Sequence, residues 1–385
     1  MNFRFQVFGL FRLDFYTLIR FYSGFGRCDD DFVDRLSRHY SVLIFSIFVL
    51  IISSVQFVGK PISCFTPASF TDAHITYADF VCWISNTYFF PIDQDIPEFD
   101  EQNQTRHGSY MLRFYQYVPF ILLLQTIGFF LPGFFWRNGL FRLGLTLQKH
   151  IDQLKLSQNS LAESPVYRRQ LVRNVASRLD QYFRTYTNAP YPRLTLFYLF
   201  IKCLYMINIL LQLLCLHFFM RFNLNFHDLF ERLIIYSNTY RQTSIQFPTN
   251  VLCDFIVRFL GKNQHRHTVQ CVLPINIFNE KIFIFAYLWL IFLLICNFYN
   301  LIIQWVVFLI FHRDISETRQ RRIRRTQNSD VVQVYDYQPI TKIFSQQYLK
   351  SDGTVLLRLL DMNIDLVTMN DLLDDLWDLY KAHPI

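Results

Sequence analysis

The chain has 385 residues, a formal net charge of +7, and 52% apolar or aromatic residues, with 43 phenylalanines and only 17% charged side chains. Soluble domains average about a quarter charged residues, so this composition excludes an ordinary soluble enzyme and points to lipid. The positive charge gathers beside apolar runs, which fits a membrane inner face and not nucleic acid.

Residues 1–40 hold six arginines and no apolar run long enough for a cleavable signal. The first span is therefore expected to act as its own insertion signal. The start, MNFRFQVFGLFRLDFYTLIRFYSG, is aromatic with Arg4, Arg12 and Arg20 interposed. Composition favours a helix lying in the membrane interface, with a fold-back into a pore as the alternative. Asp29, Asp30 and Asp31 precede a short polar helix, DRLSRHY.

Residues 41–58, SVLIFSIFVLIISSVQFV, are uncharged and long enough for a first transmembrane helix. In the loop 59–114, Thr66 reads as a helix N-cap with Pro67 at the first helical position, and Asp72 suits the positive end of the helix. Asp93, Asp95, Glu98, Asp100 and Glu101 read as a solvated acidic loop, or as a cation-attracting vestibule. Asn103-Gln104-Thr105 is the only N-x-S/T sequon and a glycosylation candidate.

Residues 115–136 form the second uncharged run, punctuated by Pro119 near its start and by Pro132-Gly133 near its end. A proline in the first turn lacks a donor that the helix would not use, so Pro119 reads as a boundary. The loop 137–193 is basic, with helical spacing around YRRQLVRNVASRLDQYF. The third span, 194–220, contains one full charge, Lys202, which must face a pore or find a partner. After the loop 221–281, the fourth run, 282–311, would be about 45 Å long as a helix and must tilt or project. The tail, 312–385, carries the cluster Arg319–Arg325 and then leucines at three- and four-residue spacing, which predict a packed helical domain.

The loop after span one holds three Lys or Arg and the loop after span two holds ten. The positive-inside rule then puts both termini and the middle loop in the cytoplasm. Each outer loop has two cysteines, Cys64 with Cys82 and Cys253 with Cys271. An oxidising compartment makes these two disulfides, in one of three connectivities. A zinc reading of Cys253, His265, His267 and Cys271 competes, but its H-x-H spacing suits a closed site poorly. No nucleophile elbow, phosphate loop or metalloprotease helix appears, so no catalytic residue and no cofactor is expected.

FYQYVPF, at positions 114–120, resembles the YYQWVPF signature of the innexins. PISCFTP at 61–67, TYFFP at 87–91, FPTNVLCDF at 247–255, QCVLPINIFNEKIFIF at 270–285 and DGTVLLRLL in the tail resemble the same family. The resemblance singles out Tyr115, Gln116, Tyr117, Val118, Pro119 and Phe120. It implies an all-α polytopic membrane protein with four transmembrane helices, disulfide-linked extracellular loops with a small β element, and a helical cytoplasmic domain. It also implies the pairings Cys64–Cys271 and Cys82–Cys253, and an N-terminal segment in the pore funnel. Thr66, Pro67 and Asp72 would line the outer pore. The implied function is an innexin gap-junction subunit of the plasma membrane at cell–cell contacts. Octameric hemichannels, homomeric or heteromeric, would sit among membrane lipids and dock between cells to pass ions and small metabolites. An undocked hemichannel and a non-conducting adhesion protein are the alternatives.

Overall fold

The computed structural model describes residues 29–85, 87–89, 110–112, 115–159, 164–186, 191–220, 247–258, 263–310 and 344–382. The aromatic start of the chain, the acidic run of the first loop, Asn103 and the Arg319–Arg325 cluster lie outside these residues.

Among the described residues, four helices are long and apolar enough to cross a membrane. The first, α1 (Phe32–Phe57), starts where the Asp31 carboxylate accepts the Asp34 N–H at 2.9 Å, and it contains a π-helical turn at Leu36–Tyr40. The second, α3 (Val118–Arg142), begins with Pro119 as its second residue, so the missing donor is one that no helix satisfies internally. Pro132 does not end it. The helix runs through Pro132 and Gly133 to Arg142, and the chain turns only at Gly144, where φ is 72°. The third, α6, is Arg193–Met220; the fourth, α7, runs Pro274–Tyr299 and continues as a π-helical turn, Asn300–Val306. Phe120, Leu124, Phe200, Leu211, Ile295 and Phe298 are exposed along these helices. Such apolar faces are stable against lipid or another subunit, not against water.

The connecting segments form shorter elements. The first loop gives β1 (Ser63–Phe65), α2 (Asp72–Ile84), β2 (Thr87–Phe89) and β3 (Tyr110–Leu112). The middle loop gives α4 (Leu147–Asn159) and α5 (Pro165–Tyr186). The hairpin β4 (Asn250–Arg258) and β5 (Gln264–Val272) precedes the last span. The tail gives α8 (Lys350–Asp361) and α9 (Leu366–Ala382).

The chain divides into two compact units. The disulfide unit comprises Tyr40–Phe130 and Ile207–Ile295; the tail unit draws on Met1–His39, Leu131–Met206 and Cys296–Ile385. In the disulfide unit the five strands form one antiparallel sheet in the order β1-β5-β4-β2-β3. Val251, Cys253 and Phe255 alternate inward along β4, with Val269 and Cys271 on β5, the period-two pattern of a sheet with one covered face. They pack with Ala78, Cys82 and Tyr115. In the tail unit the leucine face of α8 and α9 closes on α4 and α5 through Ile151, Leu154, Leu179, Leu356, Leu360 and Leu376.

Candidate functional site

Lys202 poses the sharpest problem in the tail unit, because an unpaired ammonium in an apolar helix costs several kcal/mol. It is paired. Its Nζ donates to Asp31, to Asp34 Oδ1 at 2.8 Å and to Asn300 Oδ1 at 2.8 Å. The Trp305 indole donates to Asp31 Oδ2 at 3.0 Å, and the Tyr198 hydroxyl lies 3.3 Å from both carboxylates. The same ammonium lies 5.2 Å from the Tyr198 ring centroid and 5.8 Å from that of Trp305. All its donor capacity and both carboxylates are thereby engaged.

The π-helical turn of α7 builds one wall of this site. Asn300 and Trp305 are five residues apart and would point about 140° apart around an α-helix. A π-helical turn closes every fifth residue, so both side chains come to one face. The segment Asp29 to Asp31 is fixed by further contacts. The Trp136 indole donates to the Asp29 carbonyl at 3.1 Å, and Arg38 Nη2 sits 2.7 Å from Asp30 Oδ2 and 3.7 Å from Asp29 Oδ1. Gly133 makes this possible, since a Cβ there would run into the Arg38 side chain. Asp29, Asp30, Asp31 and Asp34 oppose Arg35, Arg38 and Lys202, which leaves one carboxylate in excess. Burial pushes the Asp30 carboxyl well above its usual range, more than Arg38 pulls it down. Burial also acts against Asp31, but the Lys202 charge and the hydrogen bonds from Lys202, Asp34 and Trp305 hold it at about 2.

The sequence signalled only part of this. Lys202 was visible as a lone charge needing a pore or a partner, and the structure gives it partners. The sequence places Asp31 and Asp34 at the start of a short polar helix but gives neither them nor Asn300 and Trp305 as partners of Lys202. The available clue was four aspartates packed into six positions ahead of an apolar helix that follows directly.

In the disulfide unit, Cys64 is bonded to Cys271 and Cys82 to Cys253. The first bridge joins directly opposed residues of β1 and β5; the second ties α2 to β4. The sulfurs of Cys64, Cys82 and Cys271 lie close together, but as disulfides they lack the thiolate that binds a metal. The His267 ring packs against Phe70 at 5.3 Å and Phe255 at 5.6 Å, so its place in the zinc reading is taken by aromatic packing.

Thr66 is not the helix N-cap. The segment after it makes a turn, with the Phe70 N–H donating to the Pro67 carbonyl at 3.0 Å, and α2 starts only at Asp72. Thr71 is the cap, its N–H donating to His74 Nδ1 at 3.2 Å. Asp72 thus stands at the first helical position, where its charge suits the helix dipole. Pro67 and Asp72 are exposed.

The segment Tyr115–Phe120 divides its work. The Tyr115 ring is buried against Trp83 at 4.9 Å, and its hydroxyl meets the Trp83 carbonyl at 3.4 Å and Thr87 at 3.5 Å. The Gln116 amide also donates to the Trp83 carbonyl, while the Gln116 carbonyl accepts from Gln56 at 3.3 Å. Val118 and Pro119 are buried, and Tyr117 and Phe120 are exposed. The segment therefore fastens the end of α2 to the starts and ends of two spans.

The Innexin family model matches residues 30–380. The chain is 30% identical to Innexin unc-9 of Caenorhabditis elegans over 371 residues, covering 91% of this chain and 92% of that protein. It is 31% identical to Innexin-16 of the same organism over 356 residues, covering 92% and 91%. Innexin-11, also from that organism, is 31% identical over 385 residues and 79% covered.

Proposed function

The chain belongs to the innexin family and is a subunit of a gap-junction channel, and on that premise we propose how its two units divide the work. It is a multi-pass membrane protein that assembles with other innexin subunits. We place the disulfide-linked loops outside the cell and both termini in the cytoplasm, which agrees with the oxidising chemistry of the former and the basic residues near the latter. The ring is octameric, as the resemblance implies, and passes ions and small metabolites by diffusion without a reaction step. Lipid surrounds the exposed apolar faces of the spans.

The observation that carries the reading is the stapled sheet. Two disulfides cross-link the loop before span two to the loop before span four, across 207 and 171 residues. A docking surface made of loops would lose much of its contact energy to ordering. Cross-links remove that freedom before contact occurs. Thr66, Pro67 and Asp72 follow the first strand of this sheet as candidates for the outer pore; the Asn103 sequon, outside the described residues, is a glycosylation candidate.

Paired-cell recording tests the proposal. Current between two expressing cells is the expected result. Current in single cells alone would replace docking with hemichannel release, and surface delivery without any conductance would make the protein an adhesion molecule.

A further inference from the structure

Helix α8 carries the DGTVLLRLL segment, to which the pore and the docking surface assign no task. Side chains on it and just past its end reach three spans within the tail unit. The Asp352 carboxylate accepts the Leu194 N–H at 3.2 Å, the Thr195 N–H at 2.9 Å and the Thr195 hydroxyl at 2.7 Å. The two N–H groups belong to the first turn of span three, where a helix has no internal acceptor for them. The local cap residue is Pro192, whose carbonyl accepts from Leu196 at 3.1 Å but whose side chain has no acceptor. Asp352 therefore does from 157 positions away what a serine or aspartate normally does next door. Its charge also suits the helix N-terminus.

The second contact is to span four. The Arg358 guanidinium lies 4.9 Å from the Trp305 ring centroid and 3.9 Å from that of Phe308. Trp305 is the residue whose indole holds Asp31, so Arg358 bears directly on the Lys202 site. The third contact is to the entry of span one, where Asn363, just past the helix, donates to the Asp30 carbonyl at 3.2 Å. On its other side α8 is tied to the cytoplasmic helices. Gly353 packs so closely that a Cβ would meet Leu349 at 3.1 Å and Phe183 at 3.3 Å. Tyr348, just before the helix, donates to Asp180 Oδ1 at 2.6 Å.

We propose that α8 is the coupling element between the cytoplasmic helices and the pore, with Asp352, Arg358 and Asn363 as positioning residues for gating. None of them needs to touch a permeating ion. They hold the inner ends of spans three, four and one in one arrangement, so a shift of the helical domain reaches the spans through this single helix. The inference rests on the channel reading above.

The test uses the full chain in paired cells, with surface protein counted in parallel. Arg358→Gln and Asp352→Asn should each change the ratio of open to closed channels at fixed voltage by about threefold or more, the scale of one cation–π contact or one helix cap. Unitary conductance should stay the same. Arg358→Lys and Asp352→Glu should recover most of the native ratio. Thr195→Val removes one donor without stranding a charge, so it should shift the ratio less, and its effect should not add to that of Asp352→Asn. Fewer surface channels with native gating would make α8 a mere structural support and overturn the proposal. Additive effects of Thr195→Val and Asp352→Asn would overturn the pairing. Absence of current from the native chain would instead remove the channel reading itself.

Discussion

Replacing Lys202 with methionine isolates the worth of the buried ionic site. The side chains of Lys202, Asp31 and Asp34 are only 3%, 3% and 2% exposed, so water cannot take over the role of the lost ammonium. Methionine fills similar space but leaves two carboxylates facing each other. Breaking a buried pair from one side costs about 3–5 kcal/mol. With about 2–4 °C per kcal/mol for chains of 150–250 residues, and less for a longer one, the melting temperature should fall by on the order of 5–10 °C. The assay is thermal unfolding of the purified full chain in detergent, followed by tryptophan fluorescence, since Trp305 lies in the site and Trp136 beside it. A second arm sharpens the reasoning. Lys202→Met combined with Asp31→Asn and Asp34→Asn removes all three charges and should regain a substantial part of the loss. If the single variant melts within about 2 °C of the native protein, or the triple variant melts lower than the single, the pairing account is refuted.

Gly133→Ala should push Arg38 off Asp30 and destabilise the tail unit by about 1–3 kcal/mol, read as the same melting shift. Its refutation is an unchanged midpoint. His150 on α4 is held at about 4, chiefly by burial and secondarily by the Arg178 charge. Between roughly pH 6.5 and 4 the unfolded chain binds a proton that the folded chain refuses, so stability must fall as pH drops through that window. Unfolding midpoints measured from pH 7.5 to 5 should show this slope, and His150→Asn should flatten it; an equal slope in the variant contradicts the assignment. Cys82→Ser opens the bridge from α2 to β4 and should abolish junctional current while leaving membrane insertion intact, with a cost of about 2–5 kcal/mol to the disulfide unit. Retained intercellular conductance would remove the docking role given to that bridge.

The four spans were legible because lipid leaves a chain so few choices. A nearly charge-free segment of about twenty residues crosses lipid as a helix with its backbone bonds made internally. The partners of Lys202 were not legible, because Asp34 lies 168 positions away and an aspartate before a helix reads equally well as a simple cap. Nor was the π-helical turn at Asn300–Val306, since no residue type marks it and only the shared face of Asn300 and Trp305 reveals its purpose. Two threonines, Thr66 and Thr71, each precede residues suited to a helix start. The turn that consumes Pro67–Phe70 decides between them, and that turn depends on packing that local sequence does not encode.

Pro119 and Pro132 show how far position outweighs residue type. Both interrupt the same apolar run, and both looked like boundaries. Pro119 sits where the helix has no bond to lose, and its neighbours Tyr115 and Gln116 are anchored on the Trp83 carbonyl. It marks a fixed joint between the stapled unit and span two. Pro132 lies inside the helix and removes the donor to the Gly128 carbonyl, yet the helix continues for ten residues to Arg142. The next residue, Gly133, makes room for Arg38. The second proline therefore does not end the span, and the residue beside it serves the ionic site. One residue type thus marks the boundary of the span at one position and is absorbed by the helix at the other.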